Sequence, residues 1–176
     1  MGYVIRNSRA ALDAGVREGF VMTPVSYLMD TNAFNNILDS ANDDNPIIAQ
    51  KARGRVYVTH HQADEINSTP KEARRAALMG FLQEITPDLM PTKTCVVNTS
   101  RLGMAQIDDG GCYREILTEL DRRHSKNNNE IDALIGETAE KHVCVLVSDD
   151  RIFSCAMRAR GVRVVGWRQF VAELTS

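Results

Sequence analysis

Five acidic side chains in this 176-residue chain stand where an α/β fold places its chemistry. The stretch VSYLMDTNAFNN at 25–36 is a short apolar run that ends in Asp30 and turns through Thr31 and Asn32 into a helix-like segment. In an open α/β sheet, ligands collect in the crevice outside the carboxyl ends of the strands, so an acid there is placed to hold a cation. The same event recurs. RVYVT at 55–59 runs into HHQADEINST, which carries Asp64 and Glu65, and VCVLV at 143–147 ends in Ser148, Asp149 and Asp150. Asp132 sits in NEIDALIGETAEK beside the apolar stripe of Ile131, Leu134, Ile135 and Ala139. A carboxylate so close to a buried face costs several kcal/mol unless it is paired or metal-bound, whereas Glu130, Glu137 and Glu140 have a wet face available. Between Asp64 and Glu65, Glu65 is the better inward group, because Asp64 can complement the positive end of the helix dipole. The choice between Asp149 and Asp150 stays open. For Asp30 or Asn32 the competing role is a helix N-cap that accepts a backbone N–H.

These acids need elements to carry them. Apolar and β-branched runs predict strands at 25–29, 55–59, 143–147 and 163–165, with a further extended piece at 95–98. Helical spacing predicts helices at 33–38, 47–53, 71–85, 113–124, 129–141, 151–160 and 169–174. Gly54 and Gly161 suit helix C-termini, Pro46 suits a helix start, and Asp108-Asp109-Gly110-Gly111 reads as a turn. Alternating strands and helices predict a parallel α/β sheet with helices on both faces, a three-layer α/β/α architecture. In it the acids at 30, 65, 132 and 149–150 can converge on one edge. Residues 1–24 form an N-terminal helical extension, with an amphipathic helix at 8–20 through Leu12, Val16 and Phe20, and 25–176 form the main domain. The extension either packs on that domain or acts as a docking arm for a partner or a second copy.

Composition excludes several classes. The chain is 43% hydrophobic and carries 21 basic against 23 acidic residues, a net charge of -2, so its overall field does not draw in nucleic acid. Any phosphate contact must come from local basic patches such as Lys71, Arg74 and Arg75, or Arg122, Arg123, His124 and Lys126. Cys95, Cys112, Cys144 and Cys155 form no CxxC pair, and a buried Cys144 suits a reducing cytoplasm. No apolar stretch is long enough to span a bilayer, and the start lacks a secretory-signal layout. His60 and His61 are adjacent, which points them to different sides of a strand or turn, and no Cys or His follows at zinc spacing.

Taken together, LMDTN at 28–32, ADEI at 63–66, IDALIGETA at 131–139 and LVSDDRIF at 146–153 resemble the motifs of PIN-domain nucleases of the VapC toxin type, in order and across most of the main domain. The resemblance implies Asp30, Glu65, Asp132 and Asp150 as the acidic metal-binding set. Asp149 is a second candidate at the last corner, Ser148 takes the usual Ser/Thr position, and Asn32 is a polar support. It implies a Mg²⁺- or Mn²⁺-dependent endoribonuclease acting on single-stranded or structured RNA, cytoplasmic, often the toxin of a toxin–antitoxin pair and often a homodimer. Two departures stand out: the extension before Asp30 is longer than in compact toxins, and Asp149 duplicates an acid.

Mg²⁺ is a hard ion that takes oxygen ligands and keeps several waters, so it needs one or two direct carboxylates. One or two such ions generate hydroxide from water, align it and offset charge on the leaving oxygen. On this reading Asp30 and Asp150 are direct ligands, while Asp132 and Glu65 are direct or water-mediated. Ser148 or Asn32 positions water or phosphate, and Arg74, Arg75, Arg122, Arg123 or Arg151 touches the RNA backbone. Two other classes fit strand-end acids. One is a non-catalytic module of the same fold. The other is a metal-dependent phosphatase or phospho-acceptor with Asp30 as nucleophile, which lacks a second Asp two residues on and an obvious later Lys.

Overall fold

The computed structural model describes residues 3–4, 23–39, 45–85, 88–101, 103–124 and 128–176. Five short strands form one parallel sheet: β3 (Tyr27–Met29), β4 (Val56–Val58), β5 (Asp88–Leu89), β6 (Val145–Val147) and β7 (Val164–Val165). Their order is β5-β4-β3-β6-β7. The chain therefore builds outward from β3 through β4 to β5, then returns to the other side of β3 for β6 and β7. The reversal between β3 and β6 is a topological switch point, where neighbouring connections leave in opposite directions and open a crevice at the carboxyl ends of the strands. A separate antiparallel pair joins β1 (Tyr3–Val4) to β2 (Thr23–Pro24). The helix expected at 8–20 lies outside the described residues.

Side-chain alternation along the strands builds a core on each face of the sheet. Tyr27, Met29, Val56, Val58, Val145 and Val147 point to one side. They pack there with Phe34 of α1 (Thr31–Asp39), Ile48 of α2 (Asn45–Ala52), Ile66 of α3 (His60–Asn67), Phe81 of α4 (Glu72–Ile85) and Phe170 of α8 (Trp167–Thr175). Leu28 and Leu146 point to the other side, against Ile116 of α5 (Gly111–Arg123), Leu134 of α6 (Asn129–Lys141) and Phe153 of α7 (Arg151–Ala159). The three-layer α/β/α reading is thus the observed architecture.

Local signals place most boundaries. Gly54 follows α2 at φ +68°, the left-handed conformation that ends helices at low cost when no Cβ is present. Thr59 and Gln62 close a reciprocal capping box at the head of α3. The turn before α5 is made by its own acids: Asp109 N donates to Asp108 Oδ1 at 2.7 Å and Gly111 N to Asp109 Oδ1 at 2.8 Å. One expectation fails. The extended piece at 95–98 is a turn, with Asn98 at φ +66°, and the fifth strand is β5 at Asp88–Leu89. Pro87 and Pro91 flank that strand, and prolines normally argue against a strand, which hid a two-residue edge.

Candidate active site

The register fixes where the first acid goes. Met29 pairs with Val147, so Asp30 and Ser148 both leave the sheet at the switch point. Asp30 N still donates to Val147 O at 2.9 Å, and Ser148 N to Val165 O at 3.0 Å, which holds both residues in strand-like register. Their side chains meet across the strands: Ser148 Oγ donates to Asp30 Oδ2 at 2.7 Å. Asn32, on the first turn of α1, donates to the same oxygen at 2.7 Å and to Ser148 Oγ at 3.4 Å. Asp150 N donates to Ser148 Oγ at 3.1 Å, so one hydroxyl ties the two acidic corners together.

Asp30 is 6% exposed. Burial pushes its carboxyl up to about 6 from an ordinary 3.8, although hydrogen bonds from Ser148 and the Thr31 amide pull it down, and the charges of Glu65 and Asp150 raise it further. The charges of Glu65 and Asp150 thus both bear on Asp30. Glu65 is exposed on α3, and its neighbour Asp64 is half-buried and ion-paired with Arg101 at 2.7 Å. Asp132 is half-buried in the first turn of α6. The segment at 99–101 links the heads of the two acid-bearing helices: Thr99 Oγ1 donates to Glu130 Oε2 at 3.3 Å and Arg101 N to His60 Nε2 at 3.3 Å.

The pair at 149–150 divides its work. Asp149 accepts from Trp167 N at 3.3 and 3.2 Å and from Asn36 Nδ2 at 2.5 Å, so its carboxylate joins α1 to the head of α8. A Cβ at Gly166 would lie 2.6 Å from Asp149 Oδ1, so any larger residue there has to displace the Asp149 carboxylate. Asp150 caps α7, its Oδ1 accepting from Ile152 N at 2.8 Å and Phe153 N at 2.9 Å, and its charge acts on Asp30.

Whether a divalent ion suits these residues turns on the donor set. Among the described residues no three acid, histidine or cysteine side chains form a ready metal-holding cluster. The set is instead one carboxylate whose pKa is raised chiefly by burial and further by neighbouring negative charge, with Asn32 and Ser148 fixing its orientation. The adjacent Thr31 Oγ1 is buried without a hydrogen-bond partner. That fits a hard, partly hydrated ion, which accepts one or two direct carboxylates and holds the others through water.

Several residues depart from the sequence reading. Glu137, expected on a wet face, is 0% exposed and accepts from Thr94 N at 3.0 Å and Thr94 Oγ1 at 2.9 Å, and burial raises its pKa. Residues 133–139 are buried on every side, because α6 lies between α5 and the sheet, and the small residues Gly136, Thr138 and Ala139 around Glu137 were the available signal. His60 and His61 do not diverge: their rings lie side by side with centroids 3.8 Å apart and planes tilted by 39°, and burial lowers both pKa values, His61 to about 4. Among the basic candidates, Arg74 binds Asn35 Oδ1 at 2.9 Å and Arg75 binds Thr69 O at 3.1 Å. Arg122 and Arg123 pair with Glu119 at 2.9 and 2.6 Å. Arg151 is exposed at the first position of α7, and Lys126 lies outside the described residues. Among the described residues no helix is long and apolar enough to cross a membrane.

No family model matches the chain, and no curated protein matches it. Solved structures do. PAE2754 from Pyrobaculum aerophilum superimposes with a TM-score of 0.55 at 19% identity, over 86% of this chain and 96% of that one. FitAcB from Neisseria gonorrhoeae gives 0.48 at 16% identity, over 81% and 98%. VapBC2 from Rickettsia felis bound to a DNA fragment from their promoter gives 0.46 at 16%, over 81% and 99%. What the chain shares with PAE2754 is the fold, a parallel sheet between two helical layers.

Proposed function

We propose that this chain is a metal-dependent ribonuclease that hydrolyses phosphodiester bonds in single-stranded RNA. The observation that carries the reading is Asp30: a carboxylate buried at the switch point, in the field of Glu65 and Asp150, is an electrostatic deficit that a divalent cation relieves. Asp30 and Asp150 would hold Mg²⁺ or Mn²⁺ directly, and Glu65 and Asp132 directly or through water. When bound, such an ion lowers the pKa of water and offsets charge on the phosphate. The chain's own part is orientation. Ser148 and Asn32 lock Asp30 Oδ2 with two hydrogen bonds, and the amide of Asp150 in turn fixes the Ser148 hydroxyl. Arg151 would meet the RNA backbone as a point of charge. The toxin role, an antitoxin partner and a homodimer rest on the motif resemblance rather than on this geometry.

A labelled single-stranded RNA, and a structured one beside it, should be cut with Mn²⁺ and left intact without it, and Asp30→Asn should cut neither. The same ion should raise the melting temperature by about 5–10 °C at a hundredfold excess over its Kd. No shift in wild type would remove the metal site. A non-catalytic module of this fold is the second reading, favoured by the N-cap that Asp150 makes to α7. It is distinguished by Mn²⁺-dependent stabilisation or RNA binding without cleavage.

Asp149 gives a sharper test of the corner. Asp149→Ala should lower stability by about 0.5–2 kcal/mol, the cost of a lost helix cap, yet keep the Mn²⁺ midpoint of wild type. Loss of Mn²⁺ binding in that variant would move the ligand from Asp150 to Asp149.

A further inference from the structure

Gln62 is fully buried, and the proposed chemistry does not use it. Its amide faces two ways. Oε1 accepts from Thr59 N at 2.8 Å and from the Thr59 hydroxyl, while Nε2 donates to Met29 O at 2.7 Å. A backbone N–H demands the oxygen on one side and a carbonyl demands the NH₂ on the other, so the amide has one orientation.

The Met29 carbonyl needs this donor because its own sheet has run out. β3 pairs with β4 through Tyr27↔Val56 and Leu28↔Tyr57, and β4 ends at Val58. On the opposite edge the ladder continues, with Met29 paired to Val147 and Asp30 N bonded to Val147 O. The peptide between Met29 and Asp30 is therefore gripped at its N–H by β6 and at its carbonyl by a side chain of α3. Glu65 follows Gln62 by three residues, one turn further along the same helix.

We propose that Gln62 is a positioning residue that sets the span between Asp30 and Glu65, by extending the β3 ladder with a side-chain donor from the helix that carries Glu65. This rests on the metal-dependent reading of the site above. The competing role is local: Gln62 as no more than the third-position partner of the Thr59 capping box.

Gln62→Glu separates the two roles at a pH where the new carboxyl is ionised, because the carboxylate keeps the acceptor for Thr59 and loses the donor to Met29 O, whereas the protonated acid would keep both, so the variant is compared with wild type over a pH series. Gln62→Met, close in length and volume, removes both. In metal-free protein, amide hydrogen exchange at Asp30 should accelerate about tenfold or more in either variant. The Mn²⁺ midpoint, read by thermal shift, should weaken about tenfold or more, the usual effect of losing a residue that orients a ligand. An added negative charge alone would tighten cation binding, so weaker binding in Gln62→Glu reports lost geometry. With RNA, kcat should fall and KM should stay close to wild type. Unchanged exchange and midpoint in both variants would overturn the proposal. So would a normal Gln62→Glu beside an impaired Gln62→Met, which assigns Gln62 to the cap. If wild type neither binds Mn²⁺ nor cuts RNA, the nuclease reading fails, and the exchange rates alone then decide whether Gln62 clamps Asp30.

Discussion

Asp30→Asn should lose RNA cleavage by at least about a thousandfold while making the metal-free protein more stable, two effects of opposite sign from one atom change. Burial and neighbouring charge hold the Asp30 carboxyl near 6 in the folded protein against an ordinary 3.8, so the fold favours its protonated form. Its contribution to stability is therefore fully present below about pH 4 and is lost as pH rises through about 6. Above that the ionised group costs about 3 kcal/mol, and the neutral amide avoids most of this while still accepting from Ser148 and Asn32. A net gain of about 1–3 kcal/mol at pH 7.5, or about 3–10 °C in melting temperature, is the expected reading in a chelator. The difference between wild type and variant should shrink toward pH 4. With saturating Mn²⁺ the order should reverse, because wild type then gains an ion that the variant does not hold. Equal stability of the two proteins at pH 7.5, together with normal cleavage, would mean that Asp30 serves only the fold.

Glu137→Leu should have the largest effect on stability. The carboxylate is buried under the connection between β5 and α5, where it takes both the amide and the hydroxyl of Thr94. A leucine fills similar space and leaves those two donors without an acceptor, at about 2–4 kcal/mol in all. The melting temperature should fall by about 5–15 °C, and amide exchange should rise first in the segment at 92–106. Glu137→Gln, which keeps one acceptor, should recover part of the loss. A small and uniform change across the chain would show that Thr94 finds another partner and that the segment does not depend on Glu137.

Much of this was legible in the sequence because it is local. Apolar runs of β-branched residues that stop at an acid mark strands leaving a sheet, and the helices between them force the parallel arrangement. Asp30, Ser148 and Asp150 could be placed at strand ends from those runs alone. The two-residue strand at Asp88–Leu89 could not, since two prolines beside it outweigh so short a signal.

The α/β class, four of the five strands of the main sheet, and the delivery of acids to the ends of the strands were written in the chain, because those follow from nearest-neighbour preferences and the period of burial. Packing in three dimensions set which way each polar side chain faces. Asp149 turns to α8 and Asp150 to α7 although they are adjacent. Glu137 goes under a segment that lies 43 residues back at Thr94, and Gln62 reaches a carbonyl 33 residues earlier. The reason is physical: a buried polar group must find a partner wherever packing brings one, and that choice is made by neighbours in space whose positions no local window of sequence contains.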